Sequence, residues 1–129
     1  MSKKSRYKML EASFKKSLEG DWRGNPPVEA DFRKLFDEMA PKLSEIKFND
    51  CFVDISVMRQ WLDFNLVCPD ELVITACRVV GQADDSVMYS VSHHKIKLII
   101  HHNQTVDSLV DAANKAIKLV SEEKVTEAT

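Results

Sequence analysis

Hydrophobic and polar positions divide the chain into stretches of different period. Over residues 3–19, Tyr7, Leu10, Phe14 and Leu18 recur at three- and four-residue steps, which places them on one face of a helix. Val28, Phe32, Leu35, Phe36 and Met39 repeat that spacing over residues 28–46. Pro41 has no backbone donor and disfavours helix at Ala40, so this second helix should kink, or stop and restart, with Leu43 and Ile46 in its last turn. Between the two, GDWRGNPP (residues 20–27) holds two of the three glycines and two of the four prolines, and reads as a linker. Gly20 is a natural stop for the first helix. Pro27 suits the first turn of the second.

From Phe48 the period changes to two. Cys51, Val53, Ile55 and Val57 alternate with Phe52, Asp54, Ser56 and Met58. Leu62, Phe64, Leu66 and Cys68 then alternate with Asp63 and Asn65, and Pro69-Asp70 marks a turn. Leu72 to Val80 is apolar on both faces, the pattern of a central strand. After GQADD (residues 81–85), apolar residues sit at odd positions (Val87, Tyr89, Val91) and then at even ones (Ile96, Leu98, Ile100). That phase switch predicts a hairpin with His94 and Lys95 at its tip, Val91 opposite Leu98 and Tyr89 opposite Ile100. Asn103 or Thr105 can cap a last helix over 105–121, with Asp107 in its first turn and Val106, Leu109, Val110, Ala113, Ile117 and Val120 buried. The polar residues 122–129 read as a frayed tail.

Helices and strands are segregated, and the turns between strands leave no room for crossover helices. The expected fold is therefore α+β in a single domain, residues 1–129. It has two N-terminal helices, a mostly antiparallel sheet of four or five strands over 48–102, and a C-terminal helix packed on one sheet face. Edge strands need cover, which suggests a homodimer through an edge or through the open face.

Composition removes several classes of function. The 129 residues carry a formal net charge of −2, so no overall basic field announces a polyanion partner. No apolar run approaches a membrane span, and the N-terminus has no apolar signal core. The three cysteines Cys51, Cys68 and Cys77 form no CxxC and sit in apolar runs, as reduced core thiols of a cytoplasmic protein would. No GxGxxG, GxxxxGK[ST], GxSxG or HExxH occurs, so neither an enzyme nor a cofactor is indicated.

Three residue sets remain as candidates. Trp22, Trp61, Met58, Phe52 and Met88 exceed what one helix-covered sheet face holds, and they point to an exposed patch for a protein partner. Lys3, Lys4, Arg6, Lys8, Lys15 and Lys16 make the first helix basic and offer a second reading, contact with nucleic-acid phosphates. The histidines come in pairs, His93–His94 and His101–His102. Eight strand residues separate His93 from His101 by roughly 26 Å, too far for one ion to use both pairs. A metal at His101 and His102 would need carboxylates such as Asp84 or Asp85, or a second subunit. In size, mild acidity and helix-plus-sheet plan the chain is similar to small dimeric secretion chaperones. Those place a helix among the strands, and none is read here between Phe48 and His102.

Overall fold

The structure, a computed structural model, describes residues 1–19, 29–58, 61–80, 86–94 and 97–128. In chain order it contains α1 (Lys3–Leu18), α2 (Glu29–Leu43), β1 (Phe52–Met58) and β2 (Trp61–Val67). A short 3₁₀ turn (Pro69–Glu71), β3 (Val73–Val79), β4 (Ser86–His93), β5 (Lys97–Thr105) and α3 (Val106–Ala128) follow. The fold is α+β, as the segregated periods predict. The five strands form one antiparallel meander, β1-β2-β3-β4-β5, with β3 in the centre. Only the 3₁₀ turn lies between described strands.

One face of the sheet carries the core. Ile55, Val57, Leu62, Phe64, Leu66, Ile74, Ala76, Val87, Tyr89 and Val91 are buried there, as are Leu10 and Phe14 of α1, Phe32, Leu35, Phe36 and Met39 of α2, and Leu109, Val110 and Ala113 of α3. Phe14 stacks on Phe36 at a centroid distance of 4.4 Å, joining the two N-terminal helices. A charge enters this layer from the sheet. Arg78 is buried opposite Leu62 and reaches Glu38 of α2 at 2.6 Å. A buried guanidinium without its carboxylate is strongly destabilising, so this pair fixes α2 over β3.

Local chemistry explains most element ends. The Ser2 hydroxyl accepts from the Ser5 amide at 3.1 Å to start α1, and Thr105 accepts from the Ser108 amide at 3.1 Å to start α3. Gly20 and the linker lie outside the described residues. Helix α2 runs through Pro41 and ends at Leu43, short of the expected Ile46. The Ser44 hydroxyl donates to the Pro41 carbonyl at 2.6 Å, and Ser44 to Ile46 form a turn instead. Helix α3 continues to Ala128, past the Ser121 where a frayed tail was expected. Residues 122–128 contain no glycine or proline, so polarity alone supplied no stop.

The hairpin departs from its predicted register by one residue. His93 pairs with Lys97, Val91 with Ile99 and Tyr89 with His101, so the tip is three residues wide. Farther on, Val87 pairs with Gln104, which leaves Met88 opposite two residues, a β-bulge at His102 and Asn103. A one-residue slip exchanges faces along a strand. It puts Leu98 and Ile100 on the face away from the helices, where the sequence pattern had placed them in the core.

The sheet's first edge is closed by a helix. The backbone N–H groups of Ile55 and Val57 donate to the hydroxyls of Ser13 and Ser17, both at 2.7 Å. Serines four apart on a helix rise about 6 Å, close to the roughly 6.8 Å spanned by two antiparallel strand residues. Helix α1 thus occupies the place of a sixth strand beside β1. Replacing Ser13 or Ser17 by Ala leaves a part-buried strand amide without its acceptor. Each change is expected to cost about 1–3 kcal/mol in urea unfolding, with little change in circular dichroism.

Candidate functional site

The opposite face of the sheet has no described helix over it. Its residues are Phe52, Asp54 and Ser56 of β1, Trp61, Asp63, Asn65 and Val67 of β2, Val73, Thr75, Cys77 and Val79 of β3, Met88, Ser90 and Ser92 of β4, and Leu98 and Ile100 of β5. Large apolar groups sit at its two ends. Phe52 and Val67 lie at one end and Met88, Leu98 and Ile100 at the other, and these five, with Ile99, are 41 to 66 % exposed. The middle is polar. Thr75 and Ser90 share a hydrogen bond of 2.6 Å, and Ser56 donates to Asp54 at 3.0 Å. Between these parts runs a groove of about 530 Å³, bordered by Asp63, Asn65, Thr75, Cys77, Met88 and Ile100. Asp54 and Asp63 are the only charged residues among those described on this face.

Strand alternation also fixes which backbone groups are open. The Cys68 N–H bonds to the Leu72 carbonyl, so even-numbered residues of β2 address β3 and odd ones address β1. The outward Ile55 and Val57 amides fit the same alternation. Carried through the pairings, it directs Tyr89, Val91 and His93 toward β5, and Lys97, Ile99 and His101 toward β4. The N–H and C=O groups of Leu98 and Ile100 therefore point away from the sheet. The edge of β5 carries Leu98, Ile99 and Ile100 in succession, all exposed.

The sequence-predicted partner residues meet this surface unequally. Phe52 and Met88 are exposed on it, 66 % and 46 %, and Trp61 is half-buried on it. Met58 belongs to β1 opposite Trp61, but its side chain lies outside the described residues, as does Trp22 entirely. Leu98 and Ile100 were missed because the predicted register buried them. The weak turn signal at His94 and Lys95, which lacks Gly and Asn, was the available hint of a wider tip.

The basic helix is less free than its composition implies. Arg6 is buried, donating to the Ser44 carbonyl at 2.8 Å and the Met1 carbonyl at 2.7 Å. Lys3 pairs with Glu45 at 3.3 Å and Lys15 with Glu11 at 3.5 Å. Lys4, Lys8 and Lys16 are exposed.

The histidines separate. His93 is buried with its ring 4.1 Å from that of exposed His94, while His101 stacks on Tyr89 at 4.8 Å. Because the chain reverses, His101 lies four positions from His93 along the ladder, roughly 13 Å rather than the 26 Å of an unbroken strand. The His102 side chain, Asp84 and Asp85 lie outside the described residues. Among the described residues no three His, Cys, Asp or Glu side chains gather as a metal site, and no helix is long and apolar enough to cross a membrane.

In the groove, Cys77 stands opposite Asp63. Burial, then a hydrogen bond and the charge of the Asp63 carboxylate, push the Cys77 thiol up to about 12. Cys77 should therefore alkylate slowly in mild alkali. Asp63→Asn removes the charge that disfavours thiolate, so at fixed alkaline pH its alkylation should accelerate by about threefold to tenfold, read by peptide mass spectrometry. Equal rates in both proteins would show that the carboxylate does not act on the thiol. The chain matches no protein-family model, no curated protein and no solved structure.

Proposed function

We propose that the protein is a small non-enzymatic interaction module of the cytoplasm, of adaptor or inhibitor type, that works as a homodimer and holds a protein partner on its open sheet face. The observation that carries this reading is the surface, among the described residues, running from exposed Phe52 across the half-buried groove to the exposed Leu98, Ile99 and Ile100 of β5. Exposed apolar patches of this kind mark interfaces.

The edge fits a second copy. Since Leu98 and Ile100 direct their backbone groups outward, an antiparallel partner strand related by a two-fold axis must place that axis on a residue pair. An axis at Ile99 sets Leu98 against Ile100 of the second copy, in both directions, and Ile99 against Ile99. Lys97 then meets His101 rather than another lysine. An axis at Leu98 sets Ile99 against Lys97, and an axis at Ile100 sets Ile99 against His101 and Leu98 against His102. Covering the exposed part of the three aliphatic residues on both copies contributes about 5–9 kcal/mol. That is comparable with the entropy lost on association, about 4–15 kcal/mol, so the dimer is weak and concentration-dependent.

The face fits a different occupant. Its floor offers Asp63 and Asn65 oxygens and carries only negative charge, while Met88 and Ile100 supply an apolar wall. A partner segment that alternates apolar residues with lysine or arginine complements both features.

Two experiments test these claims separately. Sedimentation velocity should show a monomer–dimer equilibrium that Ile100→Lys shifts to monomer. An Ile99→Cys variant lacking the native cysteines should crosslink to itself, because facing non-hydrogen-bonded residues approach most closely. A wild-type monomer at all concentrations would remove the homodimer. If the Ile99→Cys variant dimerises but does not crosslink, this seam is removed. For the face, a photo-crosslinking residue at Met88 should capture a defined protein in cells, and the same probe at exposed Asp37 of α2 should not. Asp54→Asn with Asp63→Asn should weaken that capture. Equal adducts at both positions would count against the face.

A further inference from the structure

The end of the β1–β2 ladder carries two thiols face to face. Phe52 pairs with Val67, and one step outward the same register sets Cys51 opposite Cys68. The Cys68 N–H is engaged with the Leu72 carbonyl on the β3 side at 2.8 Å. Cys51 and Cys68 are thus a non-hydrogen-bonded pair, the kind whose Cα atoms lie about 4.5 Å apart. Disulfides span Cα separations of about 4.4–6.8 Å, a range that includes the spacing of such a pair. Both cysteines are free, on the core face of the sheet, and the two thiols interact.

Their surroundings differ in a useful way. Cys68 is buried and Cys51 is half-buried, with its S–H donated to the Asn49 carbonyl at 3.3 Å. Both border a cavity of about 290 Å³ whose far wall is Ile117 and Val120 of α3. Cys51 is the more exposed of the two and lines this cavity.

We propose that Cys51 and Cys68 form a reversible dithiol–disulfide site, oxidised by low-molecular-weight disulfides. Cys51 loses its proton to solvent and its sulfur attacks one sulfur of the small disulfide, releasing one small thiol and leaving a mixed disulfide in the cavity. The Cys68 sulfur, giving up its proton, then attacks the Cys51 sulfur. The Cys51–Cys68 bond forms as the second small thiol leaves. Two protein thiols are oxidised, and one small disulfide is reduced to two thiols. Burial, with the facing Cys51 thiol, pushes Cys68 well above the ordinary thiol range, so Cys68 is the poorer first nucleophile and the first attack falls to Cys51. Cys77 takes no part, since it points to the opposite face of the sheet.

The test uses the full wild-type chain incubated with excess glutathione disulfide, then alkylated after denaturation and mapped by mass spectrometry. The expected product keeps one alkylatable thiol, at Cys77, and yields a peptide linking Cys51 to Cys68 that dithiothreitol cleaves. Its melting temperature should rise on oxidation, because the bond closes the mouth of the β1–β2 hairpin. Cys77→Ala should behave like wild type, whereas Cys51→Ser should show no rise. Three alkylatable thiols after oxidation, a link that includes Cys77, or a lasting glutathione adduct on Cys51 with Cys68 still free would each overturn the proposal.

Discussion

The two hydrogen bonds from β1 to Ser13 and Ser17 carry more of the architecture than their number suggests. A sheet edge exposes a row of unpaired donors and acceptors, and in an antiparallel meander the first and last strands are both edges. Here one edge is met by a helix whose serines match the strand's repeat. That contact sets the height of α1 over the sheet. Phe14 and Leu10 are then delivered into the core, and Phe14 meets Phe36 of α2 in a stack. The ion pair between buried Arg78 and exposed Glu38 holds α2 from the other side. The two N-terminal helices therefore share one face because the edge contact, the aromatic stack and the ion pair agree on it.

Much of this was legible in the chain. Strand positions are plain where one face is buried against helices, since Ile55, Val57, Leu62, Phe64 and Leu66 keep a strict alternation. The start of α3 announces itself through Thr105, whereas the Ser2 cap of α1 is seen only in the structure. What stayed hidden has physical causes. Ser13 and Ser17 look like ordinary helix-surface residues, because nothing local says that a strand edge some forty residues away needs acceptors. Strand β5 misleads because Leu98, Ile99 and Ile100 are apolar in succession, so either phase satisfies the pattern and turn width alone decides. Arg6 reads as a surface charge, yet its stem and guanidinium are used to satisfy the carbonyl of Ser44 behind α2.

The candidate surface was legible in part for the same reason. Phe52 and Met88 alternate with core residues, so their exposure follows from strand period, whereas Leu98 and Ile100 depend on a one-residue register. The face is chemically uneven, with aliphatic and aromatic groups at its ends and hydroxyl, amide and carboxylate groups between. Orientation of a bound segment can be set by the polar middle while its area is supplied by the ends, the usual division of labour in interfaces. The same sheet end that begins this surface at Phe52 holds the Cys51–Cys68 pair one residue away, on the other face.

The helix beside β1 also governs how far assembly can run. A sheet with a single open edge pairs once and is then complete. A sheet with two open edges can add copies indefinitely and grow as a filament. Helix α1 reaches β1 from some forty residues earlier in the chain, while every strand pairs with its sequence neighbour, so the sheet can form by local closure before α1 arrives. Until that docking is finished, both edges are available. The N-terminal helix is in this sense a terminator: its two serines close the β1 edge of the sheet.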